Sequence, residues 1–205
     1  MDASKILAKL ENRTPRVMGE QHYRQSAVLL PLTTIQNETH ILFEVRAMHM
    51  RSQPGDVCFP GGRIDPQDPS PKHAAIRETT EELGISAKNI EGLTPLDYIV
   101  NDSGRIIYPF VGTLLHSETI VPNEAEVAEV FTVPLNFFLE TEPEIYKVRV
   151  HVTPEDNFPF DRIVGGKDYK WSANHINEIF YQYNGKVIWG LTARILMHFL
   201  QLIRK

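Results

Sequence analysis

Apolar and β-branched residues fall in short runs bounded by turn residues along most of the chain, the habit of a sheet-rich protein. Residues 27–32 and 39–45 are two such runs, and Gln36-Asn37-Glu38 between them predicts a β-hairpin. Residues 51–70 then change character: Gly55, Pro60, Gly61, Gly62, Pro66 and Pro69 mark a structured loop with one short strand at 57–59. Strands follow at 106–115, 127–133 and 146–152, and Asn184-Gly185 between runs 179–183 and 186–189 is a strong hairpin turn.

The helical period appears in three places. Residues 4–10 offer Ile6, Leu7 and Leu10 to one face, available for packing on the main body, and Pro15 closes the segment. Ser70-Pro71 is a strong helix start, since serine caps free N–H groups and proline is preorganised at the first helical position. That helix is expected to reach Leu83, with Gly84 as its left-handed stop and Ala75, Ile76, Thr79 and Leu83 facing the core. The apolar stretch 187–203 is too short to cross a bilayer comfortably and carries a polar stripe of Arg194, His198 and Gln201. It reads as a helix that either packs within the domain or forms a homodimer contact. The element order predicts an α/β (α+β) chain, a mixed sheet covered by helices on both faces.

The 205 residues suffice for one substantial core and are short for two. One domain spanning 1–205 is therefore expected, with an N-terminal helix at about 4–12 and a C-terminal helix at about 190–203 as extensions. A net charge of −5 supplies no global attraction for nucleic acid or an anionic membrane, so neither is an expected partner. An anionic substrate must then be held by local cations or by metal. Residues 1–20 lack an apolar signal-peptide core, and the single cysteine, Cys58, fits a reducing compartment. The expected location is cytoplasmic.

Candidate chemistry concentrates in Arg77-Glu78-Thr79-Thr80-Glu81-Glu82. Glu78 and Glu82, four residues apart, project from one helix face with Glu81 beside them. A solvated face with an Arg77–Glu81 pair is the plain alternative. Against it, Glu81 and Glu82 sit in the last turn, where the helix dipole disfavours negative charge by ~0.3–1 kcal/mol at exposed sites. Like charges at this spacing cost a further ~0.2–0.5 kcal/mol. A divalent cation would reverse both effects, and an oxygen-only set suits Mg²⁺ or Mn²⁺.

Gly62, Arg77, Glu78, Glu81, Glu82, Gly84 and Ile85 follow the signature G-x5-E-x7-R-E-U-x-E-E-x-G-U, and the chain resembles the Nudix hydrolases. Asp68 stands at the first glutamate, Thr79 replaces the aliphatic residue, and the interval from Asp68 to Arg77 is one residue longer than the general pattern. That longer interval, with Arg51, Gly55 and Phe59-Pro60-Gly61-Gly62 in register, resembles the coenzyme A pyrophosphatase subgroup. The resemblance implies a Nudix-like α/β/α sandwich with a mixed β-sheet.

It also implies site roles. Glu78 and Glu82 would ligate the cation, with Glu81 as a further ligand or catalytic support, and Arg77 would orient the carboxylates. Glu126 would be an external base or ligand, Glu124 and Glu129 being read as solvated. Arg46, Arg51, Gly61 and Gly62 would contact substrate phosphates, and Phe158, Tyr169 and Trp171 would help enclose a base or a pantetheine arm. The implied reaction is metal-dependent hydrolysis of a diphosphate in a small nucleotide-derived substrate, foremost coenzyme A or acyl-CoA to 3′,5′-ADP and (acyl-)4′-phosphopantetheine. Another Nudix substrate (ADP-ribose, NADH, a nucleotide), RNA decapping and a non-catalytic nucleotide-sensing module stay open.

Overall fold

The computed structural model describes residues 2–101, 104–171 and 174–204. Near its start, α1 (Ala3–Ala8) is capped by the Asp2 carboxylate and buries none of its residues. The expected packing of Ile6, Leu7 and Leu10 on the main body is not found: all three are exposed. Six residues make under two turns, too little apolar surface to dock against a sheet.

β1 (Arg24–Ile35) and β2 (Glu38–Arg46) form the predicted hairpin, with Gln36 and Asn37 both at positive φ as its two-residue turn requires. After it come β3 (Val57–Cys58), β4 (Gly61–Arg63) and the predicted helix, α2 (Pro71–Leu83). Ser70 accepts from the His73 N–H as N-cap, and Gly84 closes the helix at φ +62°. Next are β5 (Ile90–Pro95), β6 (Ile99–Asn101), β7 (Arg105–Leu114), β8 (Val127–Pro134) and α3 (Leu135–Glu140). The chain ends in β9 (Glu144–Val150), β10 (Asn174–Tyr183), β11 (Lys186–Trp189) and α4 (Gly190–Ile203).

The large sheet runs β3-β2-β1-β7-β5, with β4 also on β1, β6 on β7 and β8 on β2. It is mixed: β1 lies parallel to β7 from Arg24↔Arg105 to Leu32↔Thr113, and the other strand pairs are antiparallel. A smaller antiparallel sheet, β11-β10-β9, contains the Asn184-Gly185 hairpin. The two-residue period of each strand sorts its side chains between two cores. Ala27, Leu29 and Leu42 pack with Ala74, Ala75 and Leu83 of α2. Leu30, Ile41 and Phe43 pack on the opposite face with Phe138 of α3, Ile179 and Ile188 of the small sheet, and Leu196 and Phe199 of α4. The expected mixed sheet with helices on both faces is therefore present.

Two details of α2 differ from the sequence expectation. Ala74 joins Ala75 at full burial while Ile76 is only half-buried, and Glu82 lies inside at 3% exposure. Thr79 faces the core as expected, fully buried, with its hydroxyl donating to the Ala75 carbonyl at 2.7 Å. No helix among the described residues is long and apolar enough to cross a membrane.

Candidate metal and phosphate site

β4 enters the sheet beside the first half of β1, pairing Ala27↔Gly62 and Val28↔Gly61, and this places the Phe59-Pro60-Gly61-Gly62 segment under α2. Both glycines are needed for close approach. Gly61 has φ +147°, and a Cβ there would lie 2.4 Å from the Ala27 carbonyl oxygen, so the left-handed backbone and the neighbouring strand each exclude a side chain. At Gly62 a Cβ would stand 2.4–2.6 Å from the Glu78 carboxylate. The Gly61 N–H donates to Glu82 Oε2 at 2.7 Å. Each of these two helix carboxylates is thus seated on one glycine of the pair.

Arg77 organises the exposed side of the same helix. Its Nε and Nη2 donate to the two oxygens of Asp68 at 3.1 and 3.0 Å, a bidentate grip on a carboxylate that is 7% exposed. Nη2 also meets Glu78 Oε1 at 3.0 Å and the Arg63 carbonyl at 3.1 Å, and Nη1 meets Glu81 Oε2 at 3.1 Å. Asp68 also accepts the Asp65 N–H at 2.8 Å. The Arg77 hydrogen bonds hold the Asp68 carboxyl below the usual carboxylate range. Aspartate at this position anchors Arg77, which in turn braces Glu78 and Glu81. Glu81 itself is 57% exposed and turned outward, so the three helix carboxylates do not converge equally.

Further inward lies a residue the sequence reading did not select. Glu44 on β2 is 1% exposed and shares its strand face with Leu42, the face covered by α2. Oε1 accepts the Cys58 thiol at 3.3 Å across the β2–β3 pair, while Oε2 has no hydrogen-bond partner among the described residues. Burial raises the Glu44 pKa above the usual glutamate range, with the charges of Glu126 and Glu78 adding to the rise. Burial raises Glu82 more strongly, and the Glu44 charge is the next cause. Burial also raises Glu78, against the lowering effect of Arg77. One signal was available in the sequence: a single charge inside Ile41-Leu42-Phe43-Glu44-Val45, at the position that alternation assigns to the α2 face.

Glu126 reaches the group from the loop before β8. The carbonyls at the end of α2 are used to hold that loop: Val121 N–H donates to Leu83 and Asn123 N–H to Glu82, at 3.1 and 2.9 Å. From the other side the Ala47 N–H donates to the Glu126 carbonyl at 2.8 Å. Glu126 is half-buried between the end of β2 and the end of α2, and its charge acts on Glu44, Glu78 and Glu82. Glu124 and Glu129 are exposed, Glu129 in an ion pair with Lys186. Arg46 ends β2 with Nε donating to the Ser52 carbonyl at 3.3 Å, and Arg51 lies exposed in the following loop. Phe158, Tyr169 and Trp171 form a ring cluster of their own, joined by Phe160, at centroid distances of 5.0–5.6 Å.

Among the described residues, no group of three or more acidic, histidine or cysteine side chains is placed to hold a metal ion. The donor chemistry nevertheless fits a hard divalent ion. The candidate ligands offer oxygen only, Glu44 Oε2 is buried without a partner, and buried like charges raise one another's pKa. An isolated buried carboxylate is costly unless paired or metal-bound.

Residues 23–154 match the NUDIX domain family. The chain is 39% identical over 120 residues to the peroxisomal coenzyme A diphosphatase NUDT7 of Mus musculus, a match covering 58% of this chain and 50% of that relative, so the alignment spans about half of the mouse protein. It is 28% identical over 201 residues to Nudix hydrolase 3 of Caenorhabditis elegans, covering 94% of this chain and 79% of the relative. A structure of a MutT/nudix family protein from Enterococcus faecalis superposes with a TM-score of 0.50 at 15% identity, over 100% of this chain and 71% of that one, which speaks for the fold.

Proposed function

The chain belongs to the Nudix hydrolase family, and from that premise we propose that it is a divalent-metal-dependent pyrophosphohydrolase whose substrate is coenzyme A or an acyl derivative. The observation that carries the substrate class is the 39% identity to a relative named as a coenzyme A diphosphatase, in a chain that keeps Arg51, Gly55 and Phe59-Pro60-Gly61-Gly62 in register before its acidic helix.

In this reading Glu78 and Glu82, with Glu81 at the exposed edge, hold Mg²⁺ or Mn²⁺. When bound, the cation neutralises charge on the diphosphate and lowers the pKa of the attacking water. Gly61 and Gly62 keep the floor of the site free of side chains and seat the two inner carboxylates. Arg77, tied to Asp68, fixes Glu78 and Glu81 in place. Glu126 accepts the proton of the attacking water, and its loop is held to the end of α2 by two backbone hydrogen bonds. Arg46 and Arg51 grip phosphate oxygens. Hydrolysis places the water oxygen on one phosphorus, breaks the bridging P–O bond, and releases 3′,5′-ADP and 4′-phosphopantetheine or its acyl form.

The test is a panel of coenzyme A, acetyl-CoA, ADP-ribose, NADH and capped RNA, each with Mg²⁺ or Mn²⁺, read by product chromatography beside a Glu82→Gln variant. Coenzyme A cleavage that the variant loses is expected. Efficient cleavage of ADP-ribose or NADH with coenzyme A untouched would move the chain elsewhere in its family.

A further inference from the structure

Glu44 has a place in the carboxylate group that neither the helix motif nor the family match assigns. Its strand position is fixed by the β2–β3 pairing Glu44↔Cys58 and Val45↔Val57, so the side chain cannot swing to solvent without breaking the sheet. Its side chain is buried on the α2 face, where Glu82 is also buried. The Cys58 thiol occupies one oxygen and aligns the carboxylate. The other oxygen, Oε2, is left without a hydrogen-bond partner among the described residues, in a neighbourhood where Glu78, Glu82 and Glu126 all act on it or are acted on by it.

A purely structural role accounts poorly for this arrangement. A buried acid kept for packing or for hydrogen bonding satisfies both oxygens, because each unsatisfied buried acceptor costs on the order of 1–3 kcal/mol. A second acid buried beside Glu82 adds repulsion that an apolar side chain on the strand would avoid. A positive charge between the acids removes both costs at once. The neighbouring arginines are engaged elsewhere: Arg46 attracts Glu44 but directs its Nε to Ser52, and Arg77 is held by Asp68, Glu78 and Glu81.

We propose that Glu44 is a further cation-holding carboxylate of the site, its Oε2 directed at the divalent ion from the sheet side, opposite the helix that carries Glu78 and Glu82. Cys58 is then a positioning residue that fixes the Glu44 rotamer. The inference rests on the assignment of this group as a metal site, and it adds a ligand from β2, outside the helix motif.

Mn²⁺ binding to the full chain, followed by calorimetry and by the electron paramagnetic resonance signal of free Mn²⁺, tests this without any substrate. Glu44→Gln keeps the shape and the acceptor for Cys58 while removing the charge, and is expected to weaken Mn²⁺ binding by about 10–100-fold, the range seen when metal-supporting groups are lost. Glu44→Asp keeps the charge but withdraws it by one methylene and is expected to give a smaller loss. Should Glu44→Gln fail to fold, as judged by its metal-free thermal melt, Glu44→Asp carries the test alone. Wild-type chain that binds no Mn²⁺ would overturn the metal site and the inference together. Wild-type binding that is lost in Glu82→Gln yet unchanged within twofold in both Glu44 variants would overturn the inference alone.

Discussion

Gly62→Ala separates the placement of Glu78 from the stability of the fold. The added Cβ would stand 2.4 Å from Glu78 Cδ and 2.5–2.6 Å from its oxygens, whereas ordinary contact begins near 3.4 Å, so the carboxylate must retreat by roughly 1 Å. The obstructed group is the end of a flexible side chain, so the backbone of β4 and α2 need not move. Metal ligands tolerate only about ±0.2 Å, and a 1 Å displacement of a positioned group can cost about 100-fold in rate. The expected result is a fall in kcat/KM of at least ~100-fold, equivalent to ~2.7 kcal/mol, matching a Glu78→Gln variant. Metal-free thermal melts of Gly62→Ala and wild type should agree within a few degrees. Gly61→Ala makes the contrast, because its Cβ would meet backbone 2.4 Å away at a φ that disfavours alanine, and it should lose the fold. Wild-type turnover and Mn²⁺ affinity in Gly62→Ala would refute the placement of Glu78.

Three further outcomes follow from the same geometry. Glu44 and Glu82 have pKa values raised above the ordinary 4.5, so the folded chain binds more protons than the unfolded one above that pH. Their contribution to metal-free stability is therefore fully present below the ordinary value and is lost as pH rises through the raised pKa values; melts across about pH 5–9 should show this decline, flattened in Glu82→Gln. Arg77→Lys removes the bidentate grip on Asp68 and cannot span Glu78 and Glu81 at once, so Mn²⁺ binding measured by calorimetry should weaken about 10-fold. Gly84→Ala places a Cβ 2.0 Å from the Val121 carbonyl oxygen at φ +62°; a loss of about 1–3 kcal/mol in denaturant unfolding is expected. Turnover should fall with it, because the same loop carries Glu126.

Local rules settled much of this protein before any tertiary contact was known. Ser70-Pro71 and Gly84 fixed both ends of α2, and Gln36-Asn37 and Asn184-Gly185 fixed two hairpins, because capping and positive-φ turns are decided within four or five residues. The four-residue spacing of Glu78 and Glu82 likewise put them on one helix face. Other features required the assembled sheet. That β4 slips beside β1 and makes Gly61 and Gly62 the seats of those glutamates depends on a pairing across more than thirty residues of sequence. The outward turn of Glu81 goes with its contact to an Arg77 that Asp68 anchors, and α1 stays exposed because its six residues offer too little apolar surface to dock. Glu44 looked in the sequence like one charge in an apolar strand. Its burial beside Glu82, with one oxygen unpartnered, exists only because the parallel β1–β7 core and the α2 face bring β2 under the acidic helix, where burial and repulsion among distant residues set its chemistry.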